Sequence, residues 1–217
     1  MRFRNCVRTY SLALAVGVLM LSTGLALGQA TPERKPPSKP GLYQFSDPGT
    51  YIKAFTIIPY ENQFHIFYIR GRAAPTQTWE DPGNEIDFGH AVSRDMRNWD
   101  IQAPILPVRA GSWEDRNVWA PHGFVKDGVG YMFYTGVNQS VAQQIGMATS
   151  EGMLIWGRYE KNPVLTPPEW TGFDLKSWSD GRDPCVLDDE GKYYLYYCTS
   201  KLVDGVKKGA VGVAEST

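Results

Sequence analysis

The chain repeats one pattern three times, and that repeat limits the fold more than anything else in it. Short aromatic runs at 64–68, 131–134 and 193–197 are each followed by a Gly-x-Ala-x-Ser stretch, at 89–93, 146–150 and 212–216. The glycines stand 57 and then 66 residues apart, and Trp99 and Trp156 close the first two units. Each unit reads as strand, tight turn, aromatic strand, longer loop, Gly-x-Ala-x-Ser strand, polar turn and a strand ending in Trp. Turn residues fall at Asn62, at Asp127-Gly128 and around Asp189-Glu190-Gly191, where hairpins need them. Short antiparallel strands recurring at this period predict an all-β fold, a β-propeller. A β-sandwich also spaces short strands closely, but it does not repeat the same residue types in the same phase. A propeller closes with roughly four to eight blades, and an open edge leaves strand backbone unpaired. Two full blades and most of a third are expected here, as the front part of a longer protein.

Residues 1–30 read as an export signal. Arg2, Arg4 and Arg8 precede a nearly uncharged apolar run over 11–27, and small residues follow at Ala26, Gly28 and Ala30, as a signal peptidase requires. The run approaches spanning length, yet its small-residue exit fits removal, so no lasting membrane association is expected. Residues 31–41, rich in proline, read as an extended linker, and 42–217 as the folded domain. The expected location is secreted or periplasmic. Losing the three arginines leaves a mildly acidic chain, with no basic face for nucleic acid. Cys185 and Cys198 flank the third hairpin. Its turn sets Cys185 opposite Tyr196 and Cys198 opposite Asp183, diagonal rather than facing, which disulfide geometry disfavours even where export permits a bridge.

The first strand of each blade lines the central channel, so polar residues at its start are the natural ligands of a substrate. Asp47 (in Ser46-Asp47-Pro48) and Asp183 (in Arg182-Asp183-Pro184) both precede proline there. Proline fixes φ and removes a ladder donor, which sets the carboxylate where the backbone leaves the sheet. Asp81-Pro82, in a loop, shows that the same dipeptide also serves plain turns. Two carboxylates across one channel suit glycoside hydrolysis, which needs a nucleophile or base and an acid. Arg182 is placed to hold Asp183 ionised or to bind a sugar hydroxyl. Trp119 and Trp178 offer faces for sugar rings, against the alternative of packing between blades, and His122 starts a strand beside Trp119. His65 and His90 read as packed, hydrogen-bonded sheet residues. The histidines lack metal-ligand spacing, and there is no phosphate loop or serine elbow, so no cofactor is expected, with calcium in the channel left open.

Residues 88–99, Phe133-Tyr134-Thr135-Gly136, 159–165 and Arg182-Asp183-Pro184 resemble, in this order, segments of family 32 glycoside hydrolases, the invertase and fructanase group. Trp119-Ala120-Pro121 and 183–192 are similar to family 43, the arabinanase and xylosidase group. Both are families of five-bladed propellers. The resemblance implies a secreted glycosidase acting on oligo- or polysaccharides, with Asp47 as nucleophile or base and Asp183 as transition-state stabiliser or pKa-tuning carboxylate. The usual Asn-Asp-Pro-Asn-Gly of family 32 is here Ser46-Asp47-Pro48-Gly49-Thr50. The general-acid glutamate of either family lies beyond Arg182-Asp183-Pro184, so the chain as it stands is expected to lack its proton donor. The alternative is a carbohydrate-binding propeller without catalysis.

Overall fold

The structure, a computed structural model, describes Gly41, 43–74 and 78–216. The expected export signal and nearly all of the linker lie outside the described residues. Among the described residues, eleven strands form three antiparallel sheets. Blade one is β1 (Thr50–Tyr60), β2 (Gln63–Arg72), β3 (Phe88–Ser93) and β4 (Asp100–Ile105); blade two is β5 (Asn117–Lys126), β6 (Val129–Val137), β7 (Gln143–Ser150) and β8 (Gly157–Arg158). Blade three holds β9 (Gly181–Asp189), β10 (Lys192–Val203) and β11 (Val206–Ser216). Strands follow sequence order within each sheet, and the first strands β1, β5 and β9 lie side by side. This is the propeller expected from the repeat, with two full blades and three strands of a third.

The predicted hairpins form at Asp127-Gly128 and Glu190-Gly191, where both residues of each turn have positive φ (50° and 78°; 51° and 86°). Such turns match the twist of the flanking strands. One detail differs. Trp99 and Trp156 do not end the fourth strands but sit in the turns just before β4 and β8. There they have room to pack sideways, Trp99 against Phe45 and Trp156 edge-on against Phe67, with centroids 5.5 and 5.3 Å apart.

The Gly-x-Ala-x-Ser glycines have a steric cause. Tyr68, Tyr134 and Tyr197 pair with Gly89, Gly146 and Gly212 across the second and third strands. Each ring lies over its glycine, so an added Cβ would come within 2.1, 2.8 and 2.2 Å of the tyrosine ring. Only glycine leaves space for the ring, a cross-strand arrangement that also pins register.

Between the blades lie apolar layers. Ile58, Phe67, Ile69 and Phe88 of blade one meet Val118, Met132 and Tyr134 of blade two. Ile145, Phe124 and Phe133 of blade two meet Val186, Leu195 and Tyr197 of blade three. The other face of blade one carries Ile66, Tyr68 and Ala91, covered by Phe45 and Trp99. Because successive strand residues alternate faces, Phe67 and Tyr68 serve opposite layers.

His65 and His90 are buried as the sequence suggested, with His65 Nδ1 and His90 Nε2 3.0 Å apart and Phe67 stacked on His90. Burial pushes His90 down to about 4 and lowers His65 as well, Glu61 opposing the latter weakly. Both groups take protons more readily unfolded, from near 6.5, than folded. Their contribution is therefore fully present above that value and is lost as pH falls towards 4. Urea midpoints measured from pH 7 to 4 should fall through this window, and His90→Gln should flatten the slope. An unchanged slope in the variant would remove the pair as its cause.

Candidate functional site

Three channel-side positions share one register. Lys53 pairs with Ile69, Trp119 with Thr135, and Arg182 with Cys198. Each partner follows a member of the Tyr68, Tyr134 and Tyr197 set by one residue. Immediately after each of the three, the first strand bulges: at Ala54, at Ala120-Pro121 and at Asp183-Pro184. Bulges re-aim side chains and tolerate proline. Ala120 and Asp183 take left-handed φ of 46° and 55°, a conformation that Asp accepts better than most residues. The Asp183 amide donates to Thr135 Oγ1 at 3.0 Å, which ties the bulge to blade two.

Asp47 does not occupy the position that corresponds to Asp183. It lies three residues ahead of β1, whereas Asp183 is the third residue of β9 and corresponds to Ala54 and Ala120. The physical reason is that β1 runs farther before its bulge than β5 or β9 does. Asp47 is buried and accepts a 2.9 Å hydrogen bond from the Tyr68 hydroxyl, beside Phe45, on the face of blade one turned away from blade two. Burial first, and then the Asp47 bond, push the Tyr68 hydroxyl well above its usual range. The two predicted catalytic carboxylates thus hold different partners at different register positions, Asp47 the Tyr68 hydroxyl and Asp183 the Arg182 guanidinium.

The other predicted ligands fare unequally. Arg182 lies between Asp180 (3.4 Å) and Asp183 (3.7 Å) and stays 42% exposed. Trp119 and Trp178 gather around Trp79, edge-on, with centroids at 5.5 and 5.7 Å. The Trp178 indole N–H reaches Asp180 Oδ1 at 3.3 Å. His122 instead turns into the layer between blades two and three, its Nε2 3.2 Å from the Val186 carbonyl, and burial lowers its pKa. Cys185 and Cys198 are free thiols. Cys185 does face Tyr196, but the bulge shifts Cys198 from Asp183 to Arg182.

Several residues of this rim were not singled out from the sequence. Trp79, Asn84 and Glu85 come from the loop between β2 and β3. The Asn84 side chain accepts from the Arg72 amide (2.8 Å) and donates to the Thr78 carbonyl (2.7 Å), fixing the loop. Asn117 donates to the Asn84 carbonyl at 2.9 Å, and the Val118 amide to that of Glu85 at 3.2 Å, docking the loop on β5. Glu85 Oε1 then accepts from Tyr51 Oη (2.7 Å) and Lys53 Nζ (2.5 Å) of β1. Burial, followed by Glu85, raises the Tyr51 hydroxyl. The whole is a rim of three indoles and paired charges at the starts of three adjacent inner strands. Flat aromatic faces beside fixed donors and acceptors suit a polyhydroxylated ring.

Comparison with known proteins bears on this rim. The family model "Glycosyl hydrolases family 32 N-terminal domain" matches residues 53–214, a span that holds Asp183 and begins after Asp47. The vacuolar acid beta-fructofuranosidase 4 of Arabidopsis thaliana is 37% identical over 145 residues, covering 63% of this chain and 20% of that protein. A bifunctional fructosyltransferase of Allium cepa is 36% identical over 135 residues, 58% of this chain and 19% of its own length. The chain thus spans about a fifth of these relatives. The crystal structure of fructan 1-exohydrolase IIa from Cichorium intybus superposes with a TM-score of 0.61 at 22% identity, covering 79% of this chain and 31% of that one.

Proposed function

Because the chain belongs to glycosyl hydrolase family 32, through the N-terminal domain of that family, we propose that it is the front part of a secreted glycosidase cleaving fructose-containing oligosaccharides. The observation that carries this reading is the shared register of Lys53, Trp119 and Arg182, with Asp183 projecting from the bulge that follows. The sugar rests against Trp119, Trp178 and Trp79. Arg182 keeps Asp183 oriented towards it. Asp183 opposes the positive charge that grows on the sugar ring as the glycosidic bond lengthens, a stabilisation that acts on the transition state more than on the bound substrate. Asp47 is left with the packing role that its Tyr68 contact describes. No cofactor enters this scheme. Leaving-group protonation falls to a residue outside the chain, so the 217 residues alone should bind sugar with little turnover.

The placement of Asp47 on the far face favours a second reading, a propeller that binds sugar without cleaving it. One experiment separates the two. The full-length protein is incubated with sucrose or 1-kestose while released fructose and indole fluorescence are followed. Fructose release is the expected result. A fluorescence change that saturates without fructose release would establish the binding module instead. Absence of both signals would overturn the sugar site itself.

A further inference from the structure

We propose that Lys53 is a substrate-contacting residue, its ammonium donating to hydroxyl groups of a neutral sugar, with Glu85 and Tyr51 as the positioning residues that aim it. The inference rests on the sugar-binding reading above and adds a residue on blade one that neither the motifs nor the Asp-Pro pairs reveal. Lys53 stands at the register of Trp119 and Arg182, so the three inner strands present cation, indole and cation in one row. Its partner is unusual for a strand lysine. Glu85 is only 2% exposed, while the Lys53 side chain is 46% exposed. A carboxylate buried merely to satisfy the fold would be expected beside a cation buried as deeply. Here the acid is enclosed and the cation is left open.

Glu85 reaches this place at some conformational cost, with φ at 50°, and the Asn84 side chain and the β5 backbone hold it there. Tyr51 supplies a second donor to the same Glu85 oxygen, and its ring lies 5.1 Å from the Lys53 ammonium. An ammonium has three donors and no acceptor. One is spent on Glu85, and the half-exposed side chain leaves the ammonium accessible to a ligand. A lysine fixed in this way loses less freedom on binding than a mobile one.

The charges around the row set the ligand class. Both cations of the row are already paired, Lys53 with Glu85 and Arg182 with Asp180 and Asp183, while Arg116 lies over the Trp79 ring and Lys207 reaches the Trp178 carbonyl. An anionic sugar would have to displace these carboxylates from their cations, whereas a neutral sugar uses the paired donors and acceptors as they stand.

The test is calorimetric titration of the full chain with sucrose and 1-kestose, and with glucuronate as the charged probe. Lys53→Met should weaken neutral-sugar binding by about tenfold or more, the scale of a hydrogen bond to a charged group. Glu85→Gln should weaken it similarly, and Lys53→Arg should recover most of the affinity. Removing Lys53 alone leaves Glu85 with Tyr51 only, so the double variant Lys53→Met/Glu85→Gln, which discards both charges together, guards against misfolding. It should bind no more weakly than either single variant, because the two residues act through one contact. Wild-type affinity in Lys53→Met and in the double variant would overturn the inference and leave the sugar site standing. Tighter binding of glucuronate than of sucrose would overturn the neutral class. Failure of the unaltered chain to bind either neutral sugar would instead remove the sugar-binding reading beneath it.

Discussion

Replacing Asp183 by Asn in the full-length protein is expected to lower the rate of fructose release by about 10²–10³-fold while the fold persists. Each tenfold loss is about 1.4 kcal/mol of barrier, so this is the largest effect on turnover anticipated for one residue. Asparagine keeps the shape of the side chain and, like aspartate, tolerates the left-handed φ of 55° that the bulge imposes. Its backbone amide still donates to Thr135, and Pro184 is untouched. What disappears is the negative charge beside Arg182. That charge matters most when the sugar ring becomes cationic, so kcat should fall much more than KM rises. Thermal unfolding should move little, because the Asp183 side chain is half-exposed and its ion pair at 3.7 Å is weak in water. Wild-type kcat in Asp183→Asn would exclude the carboxylate from the chemistry. A large fall in unfolding temperature would show that the loss was structural.

The repeat made the blades legible because its cause is local. A tyrosine lying over a cross-strand glycine needs those two residue types at one register, and the pairs Tyr68–Gly89, Tyr134–Gly146 and Tyr197–Gly212 recur wherever the sheet does. The same repeat also contains the candidate row. Lys53, Trp119 and Arg182 each stand 15 residues before their tyrosine, whereas Asp47 stands 21 before its own. Counting back from the tyrosines selects the row that the structure shows; matching Asp-Pro dipeptides selects Asp47, which does not belong to it. A dipeptide reports a local turn, and turns occur on either face of a blade. Trp79 and Glu85 left no comparable signal. They arrive from a loop whose path is set by the Asn84 hydrogen bonds within blade one and by the Asn117 bond from blade two, and the last of these exists only once the two blades have docked. The fourth strands begin after Trp99 and Trp156 instead of ending at them for a similar reason, since both indoles are drawn out of the sheet by packing partners remote in sequence.

The stability of the described domain should depend most sharply on Glu114. This residue is fully buried in the connection between β4 and β5, and the Arg158 guanidinium from β8 bonds its Oε1. Arg109 adds a longer contact at 3.5 Å, and Arg158 also donates to the carbonyls of Leu106 and Pro107 at 3.2 and 2.7 Å. The outer strand of blade two is thereby fastened to the chain arriving from blade one. Burial, and then the charge of Glu114, push the neighbouring Tyr134 hydroxyl well above its usual range. Glu114→Ala leaves Arg158, only 12% exposed, without its counter-charge. Breaking one side of a buried pair costs roughly 3–5 kcal/mol, a large part of the about 5–15 kcal/mol by which domains are stable. The expected result in urea is a large fall in the midpoint, or a chain that does not fold. Asp47 makes the instructive contrast, since it holds a tyrosine hydroxyl rather than a buried cation. Asp47→Ala should therefore cost only about 1–3 kcal/mol. The double variant Glu114→Leu/Arg158→Met separates charge from shape. It removes both ions and keeps the volume filled, so it should regain most of the lost stability. A double variant as unstable as Glu114→Ala would mean that the contacts of Arg158 with the two carbonyls, and not the ion pair, join the blades at this point.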